Sequence, residues 1–293
     1  MGSPLRLTIP GTDDRGADAA WVIVETRFAE AEAALTRFDP TSPLSRLNLA
    51  AGCWVPVTPL LRSALVAAWR AYRLTDGRFD PRIIGALEAA GEHAGVDLPR
   101  SPRRLGPGER WLAFDTRRGI GRVGAPVDLG GIGKGLALRW AADALRRASH
   151  RRFLLAAGGD VVAAGLGPAD RPWVVGIEDP AARGRWLATL ELVDQAVATS
   201  SASVRSWRDE AGRLRHHLID PVTLEPAVTP WASVTVADSD PAWAEVRSKV
   251  GFLAGSRIGG AIQGRRAWWL DHSGELRTNM LTGPAGAAGS ERC

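Results

Sequence analysis

The stretch that most constrains this chain is Val127–Leu145, VDLGGIGKGLALRWAADAL. An apolar residue and Asp128 lead into Gly130, Gly131, Gly133 and Gly135, set around a single Lys134. From Leu136 the pattern turns helical, with Leu138, Ala141 and Leu145 on one face. A glycine-rich turn that feeds a helix presents free backbone N–H groups and the positive end of the helix dipole. Glycines let a bulky anion reach the backbone, and a lysine adds a point charge. The stretch predicts an anion site, with nucleotide phosphate as the anion. The alternative is a structural turn whose glycines meet a positive φ. Two familiar loops are excluded. For a P-loop the first glycine position holds Asp128 and the Ser/Thr position holds Gly135. For G-x-G-x-x-G, Gly131-Ile132-Gly133 is followed by Lys134-Gly135-Leu136.

Lysine is rare here. Of 37 Lys and Arg residues only Lys134 and Lys249 are lysine, so a compact ammonium is used where it is wanted for its own sake. The 293 residues suffice for a large core, and 45% hydrophobic with 24% charged residues is ordinary for a globular protein. The pI of about 10.1 suggests nucleic acid, but the net charge is only +5 because 32 acids are spread among the arginines. No nucleic-acid partner is expected. Cys53 and Cys293 imply neither a disulfide framework nor a metal set. No signal peptide or run of about 18 apolar residues is visible, so no transmembrane segment and a cytoplasmic location are expected.

Along the chain, Val24, Phe28, Ala31, Leu35 and Phe38 predict a helix that stops before Pro40. The segment around Ser42, Ser45 and Asn48 reads as a polar loop, and Thr58-Pro59 as the cap and first residue of a second helix. Residues 95–108 read as an exposed insertion and 282–293 as a disordered tail. Strands dominate after residue 153, interrupted by a helix over 242–254 in which Glu245 and Lys249 stand one turn apart. Helices first and a strand-rich half later predict an α+β fold in one domain, 1–281.

His216-His217 with Asp220 suggests a general base oriented by a carboxylate; a histidine at an Asp-Pro turn is the competing reading. Serines 200, 201 and 203 lack the G-x-S-x-G elbow of a hydrolase. Seven segments then occur in order: TRFDPTSPLSRLN from Thr36, DGRFDP at 76–81, DLGGIGKG at 128–135, AAGGD at 156–160, WVVGIEDP at 173–180, ATSS at 198–201 and HHLIDPVT at 216–223. Together they resemble the FAD:protein FMN transferase (ApbE) family over nearly the whole chain.

That resemblance implies an ApbE-type, T-fold-like domain with a mostly antiparallel sheet and flanking helices. It implies transfer of FMN from FAD to a Thr or Ser hydroxyl of a target flavoprotein, with release of AMP and use of Mg²⁺. The alternatives are a non-catalytic FAD-binding protein or an FAD pyrophosphatase giving FMN and AMP. By matching position Phe38, Phe79, Asp80, Asp128, Lys134 and Ile219 are expected to line FAD, Lys134 near phosphate, and His217 to be the base. At the metal, Glu245 and Lys249 stand where the family usually carries an Asp and a Thr. Gly131, Glu245 and Ser248 are the remaining candidate ligands. An i,i+4 pair between Glu245 and Lys249 would occupy the carboxylate, and Lys249 would replace the ion.

Overall fold

The computed structural model describes residues 3–92, 110–182, 184–209 and 211–280. The 95–108 insertion and the 282–293 tail lie outside the described residues. Seven strands make the main sheet: Leu5–Thr8, Phe153–Ala157, Asp160–Ala164, Gln195–Ser201, Trp231–Asp238, Ala267–Asp271 and Leu276–Thr278. Their order in space is their order in the chain, and every neighbouring pair is antiparallel. The sheet is a meander from which the chain makes excursions. The α+β expectation holds.

The longest excursion, between the first two strands, carries helices α1 (Asp14–Leu35), α2 (Pro43–Leu49), α3 (Pro59–Leu74), α4 (Ile84–Ala89) and α5 (Gly133–Arg147), with a small sheet of Val55–Pro56, Ile120–Val123 and Leu112–Asp115. A second holds the hairpin Trp173–Glu178/Trp186–Leu192, and a third the hairpin Ser206–Arg208/Leu214–His216. The fourth carries α6 (Pro241–Ala254) and α7 (Ile258–Ile262). None of the described helices is long and apolar enough to cross a membrane.

Helix α3 starts as its sequence predicts. Thr58 accepts from Leu61 N–H at 3.2 Å, and Pro59 occupies the first turn where no N–H is needed. The polar loop expected over 42–48 is instead α2, built on the same device. Ser42 accepts from Ser45 N–H at 3.0 Å, with Pro43 in the first turn and Leu44 and Leu47 buried.

One sheet face packs α5 and α6, and α1 covers α5; Val24, Phe28, Leu138, Leu145, Phe153, Leu155 and Val162 share that core. Helix α6 lies beside α5 on that face and is buried almost all round, Glu245, Ser248 and Lys249 included. The two helices approach closely at Gly135. A methyl group there would stand 2.6 Å from both Ala242 Cα and the Pro241 carbonyl oxygen. Backbone must move to admit it, so Gly135→Ala is expected to cost about 1–3 kcal/mol of stability. Chemical denaturation measures this, and an unshifted midpoint would refute the close contact.

Candidate active site

The site forms where the excursions converge at the start of α5. Asn48, fully buried in α2, clamps the entering segment: its amide donates to the Val127 carbonyl and its Oδ1 accepts from Val127 N–H, both at 2.9 Å. Asp128 N–H donates to the Pro81 carbonyl at 2.6 Å, which brings the 75–82 turn alongside. Asp128 Oδ1 accepts from Gly130 N–H at 2.8 Å, and its Oδ2 from Arg37 Nε at 2.8 Å. Arg37 is only 3% exposed, and its Nη2 lies 3.2 Å from Glu92 Oε2. Glu92 in turn holds Arg205. The next residue, Phe38, is 50% exposed, with the Arg37 and Arg205 guanidinium carbons 4.5 and 5.9 Å from its ring centre.

Phe79 is buried and Asp80 pairs with Arg82 at 2.6 Å. Against Phe79 lies the ammonium of Lys249, 5.7 Å from the ring centre. A methyl at Gly131 would stand 2.9 Å from Lys249 Nζ and 3.2 Å from the Phe79 ring, so the lysine tip lies close against this glycine. Burial lowers the pKa of Lys249, while the negative charges of Asp128, Glu245 and Asp80 pull it back up.

His217 follows the hairpin Ser206–Arg208/Leu214–His216 and faces the same region. Its Nδ1 lies 3.1 Å from the Arg205 carbonyl oxygen. A carbonyl only accepts, so Nδ1 carries the proton and Nε2 keeps its lone pair. Burial brings the ring down to about 4, outweighing that hydrogen bond, and the positive charges of Lys249 and Arg205 add to the effect. The imidazole is neutral at pH 7.

Three expected residues take other places. Lys134 does not present a free ammonium to phosphate: it is paired with Asp160, and Glu245 Oε1 lies 3.5 Å away. As the second residue of α5 its side chain turns back toward the sheet and α6. Although burial alone lowers its pKa, Asp160 and Glu245 hold it above lysine's usual value. Ile219 is wholly buried among Ile83, Leu87, Ala90 and Leu224, so it supports the His217 turn rather than lining a cleft. Asp220 does not orient His217. Its Oδ1 accepts from Val222 N–H at 2.8 Å, an Asx turn of the kind Asp-Pro favours.

The anion at the N-terminus of α5 is the protein's own. Glu245 Oε2 accepts from Gly135 N–H at 2.7 Å, in the first turn of the helix. The expected Glu245–Lys249 ion pair is absent among the described residues, because Glu245 turns to α5 and Lys249 to Gly131. Burial pushes the Glu245 carboxyl up, against the pull of Lys134 and with Asp160 adding.

Magnesium wants hard oxygen donors at about 2.0–2.1 Å in near-octahedral array. The three candidate ligands are otherwise engaged. Glu245 serves Gly135 and Lys134; the Ser248 hydroxyl donates to the Glu245 carbonyl at 2.9 Å and is 2.9 Å from Ser200 Oγ; the space beside Gly131 holds an ammonium. Among the described residues no three His, Cys, Asp or Glu side chains are grouped to hold a metal. This set does not fit Mg²⁺.

Arg37, Asn48, Glu92, Asp160 and Arg205 hold this site together and were not anticipated. Arg37 and Asn48 stand in TRFDPTSPLSRLN and Asp160 ends AAGGD, whereas Glu92 and Arg205 lie outside the seven segments.

Several known proteins are similar to this chain. The ApbE family model matches residues 1–267. The FAD:protein FMN transferase of Salmonella typhimurium is 24% identical over 251 residues, spanning 80% of this chain and 71% of that protein. The enzyme of the same name from Rhodobacter capsulatus is 30% identical over 239 residues, 77% of this chain and 45% of its own length. Among solved structures, the ApbE protein of Thermotoga maritima superposes with a TM-score of 0.79 at 27% identity, covering 94% of each chain. The flavin transferase ApbE of Vibrio cholerae superposes at 0.75 and 21% identity, covering 95% of this chain and 93% of its own. With its family model matched from residue 1 to residue 267, the chain belongs to the ApbE family.

Proposed function

We propose that this chain is an FAD:protein FMN transferase that moves FMN from FAD to a Thr or Ser hydroxyl of a target flavoprotein and releases AMP. The observation that carries this reading is the family match over residues 1–267. The geometry supports it, because a neutral imidazole, an exposed aromatic and a buried ammonium stand around one loop.

In this reading Nε2 of His217 takes the proton of the acceptor hydroxyl. The hydroxyl oxygen bonds to the flavin-side phosphorus, the bond from that phosphorus to the AMP oxygen breaks, and AMP leaves with the electron pair. Phe38 offers its face to the flavin, as a half-exposed ring between two guanidinium groups. Phe79, Asp80 and Asp128 line the approach. Two bare carboxylates would repel a diphosphate, but Arg82 neutralises Asp80 and Arg37 neutralises Asp128. Lys134 and Ile219 act through support, one tying α5 to α6 and the sheet, the other packing under the histidine turn. Catalysis then rests on positioning and charge neutralisation.

The test is AMP release from FAD with and without an acceptor flavoprotein. Stoichiometric AMP with flavin covalently bound to the acceptor is the expected result. AMP with free FMN alone would indicate a pyrophosphatase. FAD bound with no AMP formed would indicate a binding protein.

A further inference from the structure

We propose that the ammonium of Lys249 is a built-in counter-cation for the FAD diphosphate, so that this chain binds FAD without a divalent metal. The inference rests on the FAD reading above and goes beyond it by assigning what neutralises the phosphates.

Lys249 is 7% exposed and has no hydrogen-bond or ion-pair partner within 4 Å among the described residues. Desolvating an ammonium without a partner is costly, and proteins normally answer it with a close carboxylate. Here the three nearest acids are each committed elsewhere: Asp80 to Arg82, Asp128 to Arg37, and Glu245 to Lys134 and Gly135 N–H. Their charges are felt at Lys249, but none makes contact. The charge is therefore uncommitted and faces the Gly130–Gly131 turn, where a side chain would block approach. An anion arriving there meets a cation that no carboxylate contacts.

The choice of residue agrees. A chain that uses lysine only at 134 and 249 places both around Glu245. An ammonium is a compact point charge that stands between the Phe79 ring and Gly131, whereas a guanidinium is a planar fork. The same ammonium stands against Gly131, where a metal would need oxygen ligands, and it repels a second cation. It brings one positive charge where Mg²⁺ would bring two, so the difference falls to the neighbouring arginines or to slower turnover.

The test is FAD binding, followed by flavin fluorescence, by the wild-type protein and by Lys249→Met and Lys249→Thr, in excess chelator and in millimolar MgCl₂. Wild-type affinity is expected to agree within about twofold between the two buffers. Both variants are expected to bind FAD at least tenfold more weakly than the wild type, in chelator and in MgCl₂ alike. Met keeps the length and packing of the lysine stem, so it separates loss of charge from loss of fold. Titration calorimetry of MgCl₂ into the wild-type protein alone is expected to show no stoichiometric heat. A tenfold loss of wild-type affinity on chelation, restored by Mg²⁺, or a one-to-one Mg²⁺ isotherm overturns this assignment and leaves the transferase reading intact. Absence of FAD binding in both buffers overturns the transferase reading itself, and this proposal with it.

Discussion

Replacing His217 with Ala is expected to slow FMN transfer by about 10²–10⁴-fold, the range a positioned general base supplies. FAD binding should change little, because the ring addresses the acceptor rather than the diphosphate. The pH behaviour is the sharper check. Burial and the nearby positive charges hold the imidazole at about 4 in the folded protein, against 6.5 ordinarily. Wild-type kcat/KM should therefore stay level from pH 8 down to about pH 5, with its acid limb near the lower value. An unperturbed histidine would already lose half its activity near pH 6.5. The same shift fixes a sign for stability. Between the two values the unfolded chain binds the proton and the folded chain does not, so this group's contribution is full above 6.5 and is lost as pH falls through 4. Initial rates of AMP release across pH, beside denaturation midpoints at pH 7 and 5, measure both. A wild-type acid limb at pH 6–7, or transfer unaffected in His217→Ala, would remove His217 from the role of base.

The base was legible in the sequence because its segment, HHLIDPVT, is local. What orients it was not. Asp220, three residues away, invited the role of partner, but an Asp before Pro closes its own turn first. The actual partner is the carbonyl of Arg205, a backbone atom that no residue pattern announces. Caps show the same division. Thr58-Pro59 and Ser42-Pro43 carry identical start signals, yet only the first is followed by enough apolar period to read as a helix. The second heads a helix of seven residues, with Leu44 and Leu47 as its only buried apolar residues. Long-range pairings leave no periodic trace. Arg37 meets Asp128 across 91 residues and Gly135 meets Glu245 across 110, and the segment TRFDPTSPLSRLN, in which Arg37 stands, names no distant partner for it. The glycine loop was half legible. Its physics correctly demanded a lysine and an anion at a helix N-terminus. The anion proved to be a side chain of the same chain, and Gly135 serves a helix contact rather than a phosphate.

That identity predicts what removing Lys134 does. If the ammonium served only a bound phosphate, Lys134→Met would weaken FAD binding and leave the fold untouched. In the structure it bridges Asp160, 3% exposed, and Glu245, 7% exposed, and so ties α5 to the strand Asp160–Ala164 and to α6. Without it two buried carboxylates share a site with no cation. Asp160 keeps Thr199 N–H and Glu245 keeps Gly135 N–H, but neither hydrogen bond cancels the repulsion. Breaking a buried ion pair by deleting one partner costs about 3–5 kcal/mol, a large share of the roughly 5–15 kcal/mol a domain has. The loss should depend on pH in a definite direction. Burial already raises the Glu245 carboxyl, and removing the lysine raises it further. A carboxyl raised in the folded state binds its proton more readily there than in the unfolded chain, so stability falls as pH rises through the window between the two values. Lys134→Met should therefore be most destabilised near pH 8 and partly recover near pH 5. Adding Asp160→Asn should restore part of the loss at pH 8, because one of the two opposed charges is gone. Urea denaturation of the three proteins at both pH values decides it. A Lys134→Met protein as stable as the wild type at pH 8 would return this lysine to the ligand.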